Sequence, residues 1–219
     1  MASSGMQPIL FAGSSGAVAR IVTVDTTTRL ETFSDGVFAI AATLLVLEFA
    51  VKPGPKVGSE LAHIWPAYLA YVTSFVTIGI IWMNHHHTVS LLGRVDRTML
   101  FINNLLLLSV AFLPFPTRLV AEDLRNTGNR PATLAYAGTL VVVAALHQLW
   151  WQYARRGRRL IAERTPDAAL RAVDRAYAPG VPLYGAVFLL TFWSPLAAVS
   201  LTFAIAAFYL PSAALFDRS

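Results

Sequence analysis

The chain has 219 residues, of which 56% are hydrophobic and only 13% are charged, and it contains no cysteine. A soluble domain carries roughly 25% charged residues, so the composition excludes an ordinary soluble globular protein. The absence of cysteine excludes disulfides and thiol chemistry. The net charge of +5 indicates topology before it indicates nucleic-acid binding, because Lys and Arg mark the inner side of membrane proteins.

Six segments predict an all-α membrane protein with six transmembrane helices in one domain, residues 28–216. Residues 1–27 contain no convincing signal peptide and are expected to form a mobile cytosolic tail. A helix needs roughly 20 apolar residues to span the bilayer, and the fifth segment is short by that standard. The predicted spans are residues 28–51, 62–86, 99–120, 131–153, 182–193 and 195–216.

The distribution of basic residues predicts a multi-pass protein of the prokaryotic plasma membrane. Both of its termini are expected to lie in the cytosol. With the N-terminus inside, twelve of the 17 basic residues fall on the inner side, as the positive-inside rule requires. The run "RRGRR" at 155–159 is explained by this topology signal, and binding of anionic lipid is the alternative. The following stretch, residues 166–177, is predicted to form a short interfacial helix.

The first predicted helix carries a narrow apolar stripe on one side. A helix turns about 100° per residue, which places Phe33, Ile40, Leu44 and Leu47 within about 60° of one another. Asp35 falls about 140° from Ile40, so the polar head and the stripe face different partners. Thr28 and Glu31 have the spacing of a capping box that would begin this helix.

An aspartate in a membrane helix needs polar partners, because lipid offers no hydrogen bonds. Arg29 projects from another face of the helix, so the partners of Ser34 and Asp35 should come from neighbouring helices. A structural polar network between helices is the plainer interpretation, and proton sensing by histidine is the other. The candidate partners at the inner ends of the second and third spans are Trp82, Asn84, His85, His86, Asn103 and Asn104.

Metal binding and catalysis receive little support from the sequence. His85, His86 and His87 are consecutive, so they diverge by about 100° on a helix and cannot converge on one ion. The chain lacks the HExxH, GxSxG and glycine-rich phosphate-loop patterns. We therefore expect no metal, no cofactor, no enzymatic activity and no nucleic-acid partner.

The motif at the start of the first predicted helix resembles that of a known family. Arg29-x-x-x-Phe33-Ser34-Asp35 matches the RxxxFSD signature of the transmembrane protein 175 family, potassium channels of lysosomes with prokaryotic homologues. Trp82-x-x-His85-His86 and the "LPFPT" segment at 113–117 are similar to the family's second and third helices. The resemblance covers almost the whole chain, with His87 as an addition to the histidine pair.

The resemblance implies a single six-helix repeat that assembles as a homotetramer, with the first helix of each subunit lining the pore. It also implies that no TVGYG filter is present and that Ile40, Leu44 and Leu47 form the pore constriction. Thr43 is implied to contribute to the preference for potassium. A potassium channel is the first hypothesis, and a secondary transporter or a proton-permeable cation pathway is the alternative.

Overall fold

The computed structural model describes residues 26–48, 64–126 and 130–215. These residues form eight α-helices, and a 3₁₀ turn at Leu45–Glu48 extends the first of them. The predicted tail at residues 1–27 lies outside the described residues except for Thr26 and Thr27, which are helical. The α-helices are α1 (Thr26–Leu44), α2 (Trp65–Ser90), α3 (Arg97–Phe112), α4 (Pro114–Asn126), α5 (Arg130–Arg155), α6 (Asp167–Tyr177), α7 (Gly180–Leu190) and α8 (Pro195–Leu215).

The predicted all-α transmembrane class is confirmed. Four stretches are long and apolar enough to cross a membrane, namely Thr26–Leu47, Ala67–Ser90, Arg97–Asp123 and Arg130–Arg158. The fifth predicted span corresponds to α7, whose 11 residues rise only about 16 Å. This is about half of the hydrocarbon core of a bilayer, so α7 is too short to span it alone.

Two boundaries of the first and third spans differ from the predictions. The first helix begins at Thr26, and Glu31 contacts His86 rather than capping its own helix. The third span, predicted as one helix, is divided into α3 and α4 at Leu113. Pro114 causes this division because a proline has no amide hydrogen to continue the backbone ladder, and it is well placed at the start of a new helix.

In the described part of the chain, the helices pack around three apolar clusters, the smallest of which joins α5, α7 and α8 around Val187. One cluster joins α1, α2, α3 and α5 through residues that include Phe38, Ile78, Leu106 and Leu140. The second cluster lies toward the arginine-rich end of the bundle and surrounds Trp150 and Trp151. Helix α1 packs mainly on α2 and α3, whereas α5 packs on α3, α4 and α7. Among the described residues, one face of α1 is therefore left without a packing partner.

The amphipathic helix α6 forms where residues 166–177 predicted it. Its buried residues are Leu170 and Val173, and both belong to the cluster around Trp150 and Trp151. The apolar side of α6 is thus covered by protein. The prediction of a short helix is confirmed at Asp167–Tyr177, and its place at the membrane interface stays a prediction.

Three arginines of the "RRGRR" run hold the loops at this end together. Arg155 pairs with Asp174, Arg158 pairs with Asp167, and Arg159 lies 3.2 Å from Asp96. The run therefore has a structural role, because it joins three separate segments through ion pairs. Gly93 packs against the backbone that follows this run. A Cβ at position 93 would approach the Ala162 Cα to 2.9 Å, so the close contact requires glycine.

Asp96 anchors both this run and the start of α3. It accepts a hydrogen bond from the Met99 amide at 2.8 Å and another from the Tyr153 hydroxyl at 2.8 Å. Burial opposes ionisation, but these hydrogen bonds and the Arg159 guanidinium outweigh it and hold the pKa of Asp96 below its ordinary value. The carboxylate is therefore charged near neutral pH and stabilises the loop in that form.

Candidate pore-lining helix and its polar anchor

Helix α1 has one buried face and one exposed face. Leu30, Ser34, Phe38 and Ala41 are buried against α2 and α3. These positions recur every three or four residues, which is the spacing of one helix face. The opposite side of α1 carries apolar and hydroxyl residues, with Arg29 near its start, and no helix among the described residues covers it.

The predicted stripe lies on this exposed side. Ile40 is 61% exposed, Leu44 is 40% exposed and Leu47 is 73% exposed, and Phe33 is also exposed. Leu45, one residue further along than Leu44, is buried. Large apolar side chains on one strip of a helix that is otherwise packed indicate that the strip contacts something outside the subunit.

The 3₁₀ turn at Leu45–Glu48 aligns the end of the stripe. Side chains three residues apart eclipse in a 3₁₀ helix, so the tighter turn after Leu44 brings Leu47 toward the side of Leu44. Val46, which is 50% exposed, points about 120° away from both of them. The sequence analysis placed these residues on a continuous α-helix. The observed 3₁₀ turn reduces the angle between the Leu44 and Leu47 side chains around the helix axis.

Thr43 lies beside the stripe and is exposed. Its hydroxyl donates a hydrogen bond of 2.9 Å to the carbonyl oxygen of Ile40. Because the hydroxyl proton is used within the helix, the lone pairs of the Thr43 oxygen point outward as acceptors. An outward-facing oxygen of this kind suits a cation rather than an anion.

Two polar contacts join α1 to α2 on the side away from the stripe. The indole nitrogen of Trp82 donates to the Asp35 carboxylate at 2.8 Å. One turn earlier on α1, Glu31 lies 2.9 Å from Nδ1 of His86. Glu31 and Asp35 are four residues apart, as are Trp82 and His86, so the two contacts form successive rungs between antiparallel helices.

A third contact is fully buried and joins α1, α2 and α3. Nε2 of His85 lies 2.8 Å from the Asn103 carbonyl oxygen, and the Asn103 amide donates to Ser34 at 3.1 Å. Since an amide oxygen only accepts, His85 must donate from Nε2. The Ser34 hydroxyl donates a hydrogen bond to the Leu30 carbonyl oxygen at 2.8 Å, so each side chain in this series donates once.

Aromatic rings enclose the buried part of this anchor. Phe38 and Trp150 each lie 5.4 Å from the His85 ring, measured between centroids. His147 lies 6.4 Å from His85 in an edge-on arrangement. This shell excludes solvent, and a hydrogen bond without competing water is costly to break.

The structure brings together most, but not all, of the residues predicted for the network. Ser34, Asp35, Trp82, His85, His86 and Asn103 take part in the contacts above. Asn104, Arg29 and Phe33 are exposed on their helices, and the hydrogen bonds described for this network do not include them. No cluster of His, Asp or Glu suited to a metal occurs within residues 26–48, 64–126 and 130–215.

Sequence reasoning missed the Glu31–His86 rung and the position of His147 beside His85. The first was detectable, because Glu31 lies one turn from Asp35 and His86 lies one turn from Trp82. The second depends on how α5 packs against α2, and no local pattern around His147 indicates that.

Comparison with known proteins places this arrangement in context. The family model described as the endosomal/lysosomal potassium channel TMEM175 matches residues 29–114, which include α1 from Arg29 onward, α2 and α3. A potassium channel of Chamaesiphon minutus is 42% identical over 188 residues, covering 84% of this chain and 93% of its own length. An endosomal/lysosomal proton channel TMEM175 of Danio rerio is 36% identical over 132 residues, covering 55% of this chain but only 25% of its own length.

A solved structure agrees with these relatives. The crystal structure of a lysosomal potassium-selective channel TMEM175 homolog from Chamaesiphon minutus matches with a TM-score of 0.76 and 39% sequence identity. The match covers 85% of this chain and 97% of that chain. The similarity therefore extends over most of this chain and nearly all of that one.

Proposed function

This chain belongs to the TMEM175 family of ion channels, and from that premise we propose that it is a passive channel that prefers potassium. The observation that carries the proposal is the exposed stripe of Ile40, Leu44 and Leu47 on a helix whose other face is anchored. The relative from Chamaesiphon minutus, which is named a potassium channel, supports potassium as the ion.

One subunit presents one stripe, and a closed pore needs several. We propose a homotetramer with the four copies of α1 around the axis. The support is the position of α1, which has α2 and α3 on one side and no described helix on the other. Native mass spectrometry in mild detergent should give a tetramer, and a monomer or dimer alone would contradict this assembly.

Four copies of Ile40 would meet near the axis and form an apolar ring, followed by rings of Leu44 and Leu47. Apolar rings offer no oxygen ligands, so they act as a barrier to dehydrated ions and as a gate that closes by dewetting. Four outward-facing Thr43 oxygens would lie beside the narrowest ring. Selectivity should therefore be modest and should depend on Thr43 and pore diameter.

The cellular placement is also a proposal. The excess of basic residues at one end of the bundle favours a plasma-membrane protein with both termini in the cytosol.

A potassium-flux assay on purified protein in liposomes tests the function. A channel gives flux that rises with the potassium gradient without saturating, whereas a transporter saturates. Parallel measurement with a pH-sensitive dye tests the proton pathway, which the name of the Danio rerio relative favours. No flux of either ion from a folded tetramer would contradict channel function.

A further inference from the structure

A groove lies at the arginine-rich end of α5, where this helix meets the junction of α6 and α7. Its volume is about 630 Å³, within the range of about 300–1,000 Å³ typical of ligand pockets. Leu149, Gln152 and Arg156 form one wall, and Asp174 and Ala178 form the other. The groove is distinct from the stripe on α1 and from its polar anchor.

The groove is positively charged in spite of its one carboxylate. Asp174 accepts hydrogen bonds from the Trp151 indole at 2.8 Å and from Arg155, so both of its oxygens are occupied. Arg156 is exposed, and within the described ranges no carboxylate pairs with it. Two guanidinium groups against one carboxylate leave one net positive charge in the groove, centred on Arg156.

Apolar surface continues from the groove toward the middle of the membrane. Leu149 is exposed, and Gln148 separates the groove from a second cavity of about 100 Å³ lined by Val143 and Ala144. The Gln148 side-chain oxygen is buried and has no hydrogen-bond partner in the described part of the chain. A cationic mouth beside apolar walls and a free acceptor has the chemistry of an amphiphile site.

The position of the groove favours a membrane lipid as the amphiphile. Helix α5 packs on α3, α4 and α7, whereas α1 packs on α2 and α3. If α1 lies at the axis, the exposed side of α5 faces outward into the bilayer, and this step alone rests on the proposed function. The groove lies at the basic end of the helix, at the depth of the phospholipid headgroups.

We propose that this groove binds the headgroup of an anionic phospholipid such as phosphatidylglycerol. Arg156 holds the phosphate through paired N–H donors, the geometry in which guanidinium groups bind phosphate. The Gln152 amide donates to a second phosphate oxygen, and the acyl chain lies along Leu149.

Native mass spectrometry of the full-length protein with equal amounts of phosphatidylglycerol and phosphatidylcholine tests the site. We expect the wild type to retain phosphatidylglycerol preferentially and Arg156→Gln to lower its retention about fivefold, the effect of one basic group near a membrane surface. Gln152→Glu should lower it as well by placing a negative charge beside the phosphate. Arg171→Gln, an exposed arginine on α6 outside the groove, should leave retention unchanged.

Equal retention of the two lipids by the wild type would overturn the proposal, as would equal losses in Arg156→Gln and Arg171→Gln. Displacement of the lipid by an equal concentration of soluble glycerol 3-phosphate would assign the groove to free anions instead. If Arg156→Gln fails to elute as the wild-type oligomer, Gln152→Glu alone decides. Because lipid retention is measured without ion flux, a protein that binds the lipid but conducts no potassium contradicts only the proposed function.

Discussion

The two faces of α1 differ in what they need in order to be stable. The anchored face satisfies its polar groups inside one subunit, through Trp82, Asn103 and the backbone of Leu30. The stripe of Ile40, Leu44 and Leu47 is exposed in that same subunit. The comparison teaches that one helix can be fixed by its own fold on one side and remain exposed on the opposite side, which the proposed tetramer would cover with other copies.

Substitutions on the anchored face should therefore reduce the stability of the subunit. Substitutions on the stripe should alter permeation and leave the subunit stable. The predictions below follow the expected loss of stability from the largest to the smallest.

The largest loss is expected for Asn103→Leu. The substitution leaves the buried His85 N–H without an acceptor, which costs about 1–3 kcal/mol. Asn104→Leu is the matched control, because the neighbouring residue is exposed and should change stability by less than about 0.5 kcal/mol. Thermal unfolding followed by size-exclusion chromatography measures both, and equal midpoints for the two variants would show that the buried chain is not an anchor.

A smaller loss is expected for Asp35→Ala. The substitution leaves the Trp82 indole without its acceptor, but Trp82 is 40% exposed. Water or lipid headgroups therefore replace part of the lost hydrogen bond, and the free energy of unfolding falls by about 0.5–1.5 kcal/mol. We expect fewer intact oligomers and unchanged ion preference in those that form. Altered selectivity in a normally assembled Asp35→Ala protein would place this carboxylate in the pore.

Ile40→Asn should cost little stability, because the side chain is 61% exposed in the subunit. A polar ring relieves the dehydration barrier, so we expect a larger potassium flux and easier entry of sodium in liposomes. Val46→Asn is the control, since Val46 is also exposed but points away from the stripe. Equal effects of the two substitutions would mean that the wrong face of α1 has been assigned to the pore.

Thr43→Ala should have the smallest effect. It removes only a hydroxyl that bonds to its own helix, so the fold and the total flux should be nearly unchanged. The ratio of potassium to sodium flux should fall by a few-fold as the outward oxygen is lost. An unchanged ratio would assign selectivity to the apolar rings alone.

The contacts around α1 show how far the sequence could predict the structure. The apolar stripe and the need of Asp35 for a partner on α2 follow from helix geometry and from the cost of an unpaired carboxylate in lipid. The choice of Asn103 over Asn104 does not, because adjacent residues differ only in which way α3 is rotated. The break at Leu113 was signalled by Pro114, whereas the 3₁₀ turn after Leu44 has no equivalent local signal.

The arginine-rich end was the least predictable part of the fold. Charge counting explains why "RRGRR" lies at one end of the bundle, but it gives no information on its partners. Asp96, Asp167 and Asp174 come from three separate segments, and only the packed helices bring them to the run. The structural role of these arginines is therefore a property of the tertiary fold.

The most direct test of the pore assignment uses the absence of native cysteine. Ile40→Cys and Val46→Cys are introduced separately, and potassium flux in liposomes is measured before and after a cationic methanethiosulfonate reagent. We predict that the reagent blocks flux through Ile40→Cys and leaves Val46→Cys unaffected, although both positions are exposed in the subunit. Block at Val46→Cys together with undiminished flux at fully labelled Ile40→Cys would contradict the placement of the stripe in the pore.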